Sequence, residues 1–380
     1  MTSKVDFTYP NIGVPHSDTK VNSAPHPDVQ NSRVKIKDAV ITSMENLTDD
    51  TYRLRVKLNA GEVLNSSAGQ YGTLKVKELE KPRAFSFARS PKSEKKGEYS
   101  FFIKQVPGGE FSKYLEKDRT GEKITLSGPM GHFGIDDSNE DMICIAGGSG
   151  MSAVNAIVEE AAHLKLKRNC YFFYGARQQK DLYLVDELSK ISDIWAKGYK
   201  FEFIPVLSEE PENSDWKGGR GFVTDYFNEN YLKKGIVKSD SCKAFFCGPP
   251  PMIDAGAKVL IEAGVSEESM FFDKFEDARS PAPVIDNEKC VLCDECLLVK
   301  PTDDCIVETA KLSNVKDNGK FANIERINPA FTSGLYYNTL YINEDKCIRC
   351  YACVHACPHD AISPNYDLNP KTLRNNTIEI

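Results

Sequence analysis

Cysteine spacing in the last quarter of this chain limits what that part can fold into. Cys290, Cys293 and Cys296 follow one another at two-residue gaps, and Cys347, Cys350, Cys353 and Cys357 with Pro358 complete the pattern C-x2-C-x2-C-x3-C-P. A short loop of that spacing wraps its thiolates around a cage of iron and sulfide. Such a cage moves single electrons, so the rest of the chain is expected to supply or receive them. The twelve cysteines could also suggest disulfides, but eight lie after residue 289, mostly at metal-ligand spacing. A reducing compartment fits better.

The first thirty residues are polar, hold Pro10, Pro15, Pro25 and Pro27, and lack the apolar middle of a signal peptide. No apolar run approaches the roughly 18 residues of a membrane span. The net charge is −7, and 48 Lys and Arg are outnumbered by 55 Asp and Glu. Nothing here argues for nucleic acid as a partner, and a multidomain protein of the cytoplasm is the expectation.

Residues 1–33 read as a polar arm. From 34 to 135 the pattern is short strands. In Tyr52-Arg53-Leu54-Arg55-Val56-Lys57-Leu58 apolar and basic residues alternate, which predicts one dry and one wet face. Similar strands end near Val76, Ile103 and Leu126, the spacing of an antiparallel β-barrel. The period changes after residue 136. Met142–Ala146 is a continuous apolar strand, followed by Gly147, Gly148 and Gly150 and a helical stretch from Met151 to Leu164. Further strands at Cys170–Tyr174, Phe201–Val206, Ala244–Cys247 and Met270–Phe272 predict an α/β domain with a parallel sheet over 136–276. A proline-stiffened linker covers 277–286. A small α+β cysteine module covers 287–366, with an insertion at about 307–345 that holds an Asn318-Gly319 turn signal. A tail runs from 367 to 380.

Arg83-Ala84-Phe85-Ser86 sits on a barrel strand, where Arg83 could neutralise a pyrophosphate, Phe85 lie on a flat ring and Ser86 hydrogen-bond a ring nitrogen. Pro107-Gly108-Gly109-Glu110-Phe111-Ser112 offers close backbone N–H groups, and Gly128-Pro129-Met130-Gly131-His132-Phe133 follows. In this order the motifs resemble the ferredoxin–NADP reductase superfamily, whose flavin motif is Arg-x-Tyr/Phe-Ser. The resemblance implies FAD on Arg83, Phe85, Ser86, Gly109 and Ser112, and an aromatic or a carboxylate near the flavin from Phe272-Asp273-Lys274-Phe275 at the end of the last strand, with Phe275 the candidate and core packing the competing account. His132 reads as a surface or barrel-edge residue.

Ala146-Gly147-Gly148-Ser149-Gly150 places bare amides and a helix N-terminus where a pyrophosphate can sit. With Tyr174-Gly175-Ala176-Arg177, Asp181–Leu188 and Cys247-Gly248-Pro249-Pro250-Pro251-Met252, it resembles the nicotinamide half of the same superfamily. That resemblance implies NADH or NADPH on Gly147, Gly148, Ser149, Gly150, Arg177, Cys247, Gly248 and Pro249. Cys247 would stand beside the carbon that gives up hydride, so Cys247 and Ser86 are the expected catalytic residues. The pattern around Arg177 and Asp186 looks like NADH-using oxygenase reductases, although Arg177 also reads as a plain exposed charge. Cys144 and Cys170 read as core, and Cys242 as incidental.

The cysteine module resembles bacterial two-cluster ferredoxins, in which each run gives three ligands to one cluster and its fourth to the other. This implies one [4Fe-4S] cluster on Cys290, Cys293, Cys296 and Cys357 and a second on Cys347, Cys350 and Cys353. The eighth ligand would stand at position 300, which is Lys300. Soft thiolate suits iron better than an ammonium, and Cys305 lies five residues on. Cys305, a three-iron cluster or a non-cysteine corner are the alternatives. His355 and His359 read as surface or outer positions. The function implied is an NAD(P)H-dependent oxidoreductase that takes hydride onto FAD and passes single electrons through the clusters to a redox partner protein: a ferredoxin, an oxygenase or a terminal reductase. Reverse flow to NAD(P)+ and a self-contained small-molecule reductase are the other readings.

Overall fold

The computed structural model describes residues 34–274, 282–286, 289–302, 304–310 and 338–363. The polar arm, Phe275, the Asn318-Gly319 turn and the 367–380 tail lie outside the described residues.

Period-2 alternation builds the first sheet from β1 (Lys35–Thr48), β2 (Thr51–Leu58), β3 (Tyr71–Lys75), β4 (Arg83–Ser86), β5 (Glu98–Lys104) and β6 (Lys123–Met130). All pairs are antiparallel, in the order β4-β3-β6-β1-β2-β5. The sheet curls until its outer strands meet, where Ala88 N–H donates to the Ser100 carbonyl at 2.8 Å. Leu54, Val56 and Leu58 point into the barrel core with Phe87 and Phe101. Arg53 departs from the expected wet face, being only 6% exposed. The nucleotide domain covers it, and its guanidinium pairs with Glu187 at 2.7 Å and Glu45 at 3.4 Å. One short helix, α1 (Glu110–Tyr114), links β5 to β6.

The second sheet joins β7 (Asp141–Gly147), β8 (Cys170–Ala176), β9 (Phe201–Leu207), β10 (Gly219–Arg220), β11 (Cys242–Gly248) and β12 (Met270–Lys274), all parallel. The order β10-β9-β8-β7-β11-β12 reverses direction between β7 and β11. Its helices are α2 (Met151–Leu164), α3 (Val185–Ser189), α4 (Ile191–Ile194), α5 (Val223–Phe227) and α6 (Pro250–Glu262). Met142, Cys144 and Ala146 enter one apolar cluster, Ile143 and Ile145 another. Both faces of β7 are therefore dry, which is why its sequence shows no alternation. Cys242, expected to be incidental, is 1% exposed and belongs to the second cluster.

Helix α2 fixes the two domains against each other. Asn155 Nδ2 donates to the Ala88 carbonyl at 2.8 Å, and Ser152 Oγ to the Phe102 carbonyl at 3.3 Å. Glu159 accepts from Ser90 N–H at 3.0 Å and pairs with Arg89 at 3.0 Å. Loss of Glu159 would leave a buried N–H without its acceptor, a defect of about 1–3 kcal/mol.

The cysteine module is a pair of matching halves: β13 (Val284–Ile285), α7 (Glu295–Leu298) and β14 (Ile306–Ala310), then β15 (Asn338–Ile342), α8 (Ala352–Ala356) and β16 (Ile362–Ser363). β13 pairs antiparallel with β16 and β14 with β15. The end of the expected linker and both ends of the expected insertion are thus strands of the module frame. Among the described residues no helix is long and apolar enough to cross a membrane.

Candidate functional site

The reversal of strand order puts the carboxyl ends of β7 and β11 side by side, the place where open α/β sheets bind ligands. Gly147, Gly148, Ser149 and Gly150 lie at the first end, Cys247, Gly248 and Pro249 at the second. A Cβ on Gly150 would overlap the Cys247 carbonyl, and one on Gly147 would stand 2.7 Å from Met252 Sδ. These two glycines are spaces for neighbouring protein groups. Gly148 instead turns the chain, with φ +56°, and its carbonyl accepts from Tyr183 Oη at 2.9 Å. Gly248 also has positive φ, +151°, and Pro250 starts α6, where a missing N–H costs nothing.

Across the domain boundary, β4 presents Arg83, Phe85 and Ser86. Phe85 is half-buried, and its ring lies 4.9 Å from that of Phe111. Arg83 Nη2 pairs with Glu110 at 2.6 Å and Nη1 donates to the Lys81 carbonyl at 3.0 Å. A pyrophosphate at the guanidinium would take the place of the Glu110 carboxylate. Ser112 Oγ accepts from Val106 N–H at 2.7 Å, closing the loop that holds Gly108 and Gly109.

Ser86 and Cys247 come from different domains and share one carboxylate. Ser86 Oγ donates to Asp273 Oδ2 at 3.2 Å, and Cys247 Sγ–H lies 3.6 Å from the same oxygen. The parallel pairing of β11 with β12 sets Asp273 beside Cys247. Burial pushes the Asp273 carboxyl up to about 6, against the hydrogen bonds from Ser86 and Cys247. Burial and then the neighbouring Asp273 charge push the Cys247 thiol well up, so it is neutral at pH 7. Asp273 was not among the expected site residues.

Arg177 is exposed, with Nε 3.8 Å from Glu209. Beside it Gln179 Nε2 bonds both Glu210 (2.8 Å) and Asp215 (2.9 Å). One carboxylate thus stands at Arg177 and two more at Gln179, two residues on.

In the module, Cys290, Cys293, Cys296 and Cys357 line one small cavity with His359, Ala361 and Ile362. Among the described residues no three metal-ligating side chains converge as they would around a single ion; these thiols stand around a space instead. Leu292, Asp294, Arg349 and Tyr351 all have φ between +55° and +62°, so each half turns left-handed on both sides of its middle cysteine. Such turns aim backbone N–H groups into a concavity and favour anions. Arg349 N–H reaches Cys347 Sγ at 3.4 Å, and Ala361 N–H reaches Cys357 Sγ at 3.3 Å. Cys305 is buried, and it is bonded in the same way as Ala361. Asp286 N–H donates to the Ala361 carbonyl (2.7 Å) and the Asp286 carbonyl accepts from Cys290 N–H (2.9 Å); Asn343 N–H donates to the Cys305 carbonyl (2.9 Å) and the Asn343 carbonyl accepts from Cys347 N–H (2.8 Å). Burial, then the adjacent Cys347 and Cys305, push the Cys350 thiol up to about 12.

These features define a two-domain flavin and nicotinamide oxidoreductase with an iron–sulfur module attached. Residues 38–135 match the oxidoreductase FAD-binding domain, 144–258 the oxidoreductase NAD-binding domain and 340–363 the 4Fe-4S binding domain. The chain is 39% identical over 238 residues to the xylene/toluene monooxygenase electron transfer component XylA of Pseudomonas putida, covering 62% of this chain and 65% of that protein. It is 30% identical over 258 residues to the phenol 2-monooxygenase reductase component DmpP of Pseudomonas sp. (strain CF600), covering 67% and 70%. A solved structure, the ferredoxin reductase in carbazole 1,9a-dioxygenase, matches with TM-score 0.56 and 27% identity over 64% of this chain and 70% of that one. The chain belongs to the ferredoxin–NADP reductase family of FAD- and NAD-binding oxidoreductases, and carries a C-terminal 4Fe-4S domain. It spans just under two thirds of the length of the xylene/toluene component.

Proposed function

We propose that this chain is the reductase component of a multi-protein system, carrying electrons from NADH to a partner protein of the oxygenase type. Both curated relatives above are named as components of monooxygenases. FAD, when bound, accepts a hydride and releases electrons singly, and each iron–sulfur cluster carries one. The observation that carries the reading is the meeting of Ser86 and Cys247 on Asp273. Cys247 is fully buried and uncharged, so it excludes water from the nicotinamide side. Asp273 Oδ2, with its carboxyl raised to about 6, is poised near neutral pH to exchange a proton with Ser86 Oγ. Arg83 and the N–H groups of the 106–112 loop would hold the flavin pyrophosphate. Glu209, Glu210 and Asp215 would repel a third phosphate near Arg177, which favours NADH over NADPH.

Two cages are read from the module. One uses Cys290, Cys293, Cys296 and Cys357. The other uses Cys347, Cys350, Cys353 and Cys305. Ala361 lines the first cavity, and Cys305 occupies the matching place in the other half. A side chain there faces the second cage, which is how the run with Lys300 in place of a fourth cysteine regains a thiolate. In Cys305→Ser, iron content should fall by about half, or one cluster should change type. Anaerobic stopped-flow mixing with NADH tests the whole reading. Flavin bleaching followed by cluster bleaching is expected; a flavin that bleaches while dithionite-reducible clusters stay oxidised would refute it.

A further inference from the structure

The module touches the flavin half through a buried contact with one polar anchor. Tyr71 lies on β3, paired in register with Ser86 of β4. Its ring is buried with Met130 and Ala352, and Val299 and Cys350 pack against them. Tyr71 Oη donates to the Cys350 carbonyl at 2.6 Å. Gly131 makes room for the ring, since a Cβ there would stand 2.8 Å from Tyr71 Cε1. Two exposed clasps flank the anchor: Lys81 Nζ donates to the Asp345 carbonyl, and Lys346 pairs with Glu80 at 3.3 Å. All three contacts fall on or beside the Cys347–Cys353 run.

The other cysteine set holds none of these three polar contacts and is the more exposed. Of the twelve cysteines, all of them described, Cys293 alone is exposed. Val291 and Leu298 beside it are 60% and 61% exposed. The two sets adjoin where Cys296 and Cys353 share one apolar cluster. Electron transfer between fixed centres weakens steeply with distance, so the order of the sets is an order of passage.

Resting on the relay reading above, we propose that Tyr71 is the positioning residue that docks the Cys305, Cys347, Cys350 and Cys353 set onto the flavin half. That set is then the inner one, and the Cys290, Cys293, Cys296 and Cys357 set is the outer one from which a partner protein draws electrons. Each passage oxidises the donor by one electron and reduces the acceptor by one, with no bond made or broken. Tyr71→Phe keeps the ring and removes the donor.

The test uses the full chain purified anaerobically with its cofactors. In Tyr71→Phe the ratio of the cluster-bleaching rate to the flavin-bleaching rate should fall about tenfold, with iron content retained. Hydrogen exchange should quicken at amides 347–353 and not at 290–296. Cys347→Ser and Cys290→Ser then test the order by electron spin resonance. After NADH, Cys347→Ser should leave its outer cluster oxidised although dithionite reduces it, whereas Cys290→Ser should still show a reduced inner cluster. An outer cluster reduced at the wild-type rate in Cys347→Ser, or an unchanged rate ratio in Tyr71→Phe, overturns the proposal. If either cysteine variant fails to fold, the Tyr71→Phe ratio and exchange pattern decide alone. A wild-type chain whose clusters never respond to NADH fails earlier and takes down the relay reading as well, so the two failures are told apart by the wild-type trace.

Discussion

Asp273→Asn removes a carboxyl that burial raises from 3.8 to about 6. At about 1.36 kcal/mol per pH unit, holding that group ionised destabilises the fold by at most about 3 kcal/mol. Asp273 is only partly buried as a residue, so the true figure lies below that ceiling. The sign follows from proton binding. Between about pH 4 and 6 the folded chain keeps a proton that the unfolded chain has released, so stability falls as pH rises through that window and is flat above it. The asparagine variant lacks this slope. It should gain on the wild type by about 1–3 kcal/mol at pH 7.5 and lose that advantage at pH 4.5. Its side-chain carbonyl can still accept from Ser86 Oγ. Urea unfolding followed by the fluorescence of Trp195 and Trp216, both in the nucleotide domain, reads the difference. The same variant should slow NADH-driven flavin bleaching, because stability gained at a strained site commonly lowers activity. A stability offset identical at pH 4.5 and 7.5 would show that the carboxyl is not raised, and the proton role given to Asp273 would go with it.

Two further substitutions probe the neighbouring chemistry. Gly150→Ala puts a methyl group onto the Cys247 carbonyl; it should destabilise the nucleotide domain by about 1–3 kcal/mol and slow hydride uptake by shifting Cys247, as read by urea unfolding and single-turnover kinetics. Glu209→Gln combined with Glu210→Gln removes two carboxylates near Arg177, each worth about 0.2–1 kcal/mol at an exposed site. The ratio of kcat/KM for NADPH to that for NADH should rise by roughly 2- to 30-fold; an unmoved ratio would place the discrimination elsewhere.

What could be read from sequence was local. β7 and α2 appear where the apolar run, the glycines and the helical stretch from Met151 place them, because each is set by a pattern a few residues long. Arg83, Phe85 and Ser86 fall on one strand for the same reason. The Phe272-Asp273-Lys274-Phe275 segment is expected to bring an aromatic or a carboxylate to the flavin, and nothing in the sequence itself ranks Asp273 above Phe275. Asp273 matters only once β12 pairs with β11 and β4 arrives from the barrel. Arg53 reads as a wet-face residue until the nucleotide domain covers it. Cys242 starts β11, and its burial depends on packing against elements far away in the chain. Cys305 could be counted from sequence, but its equivalence with Ala361 comes from the register of two strand pairs.

The β14–β15 ladder has an architectural consequence. Ala310 stands opposite Asn338, so the intervening stretch departs and returns about 5 Å apart, one interstrand spacing. Whatever is spliced between those two points is tethered at both ends to a finished hairpin. That gap is one a two-residue turn can also bridge, so the ladder by itself sets no length for what it carries.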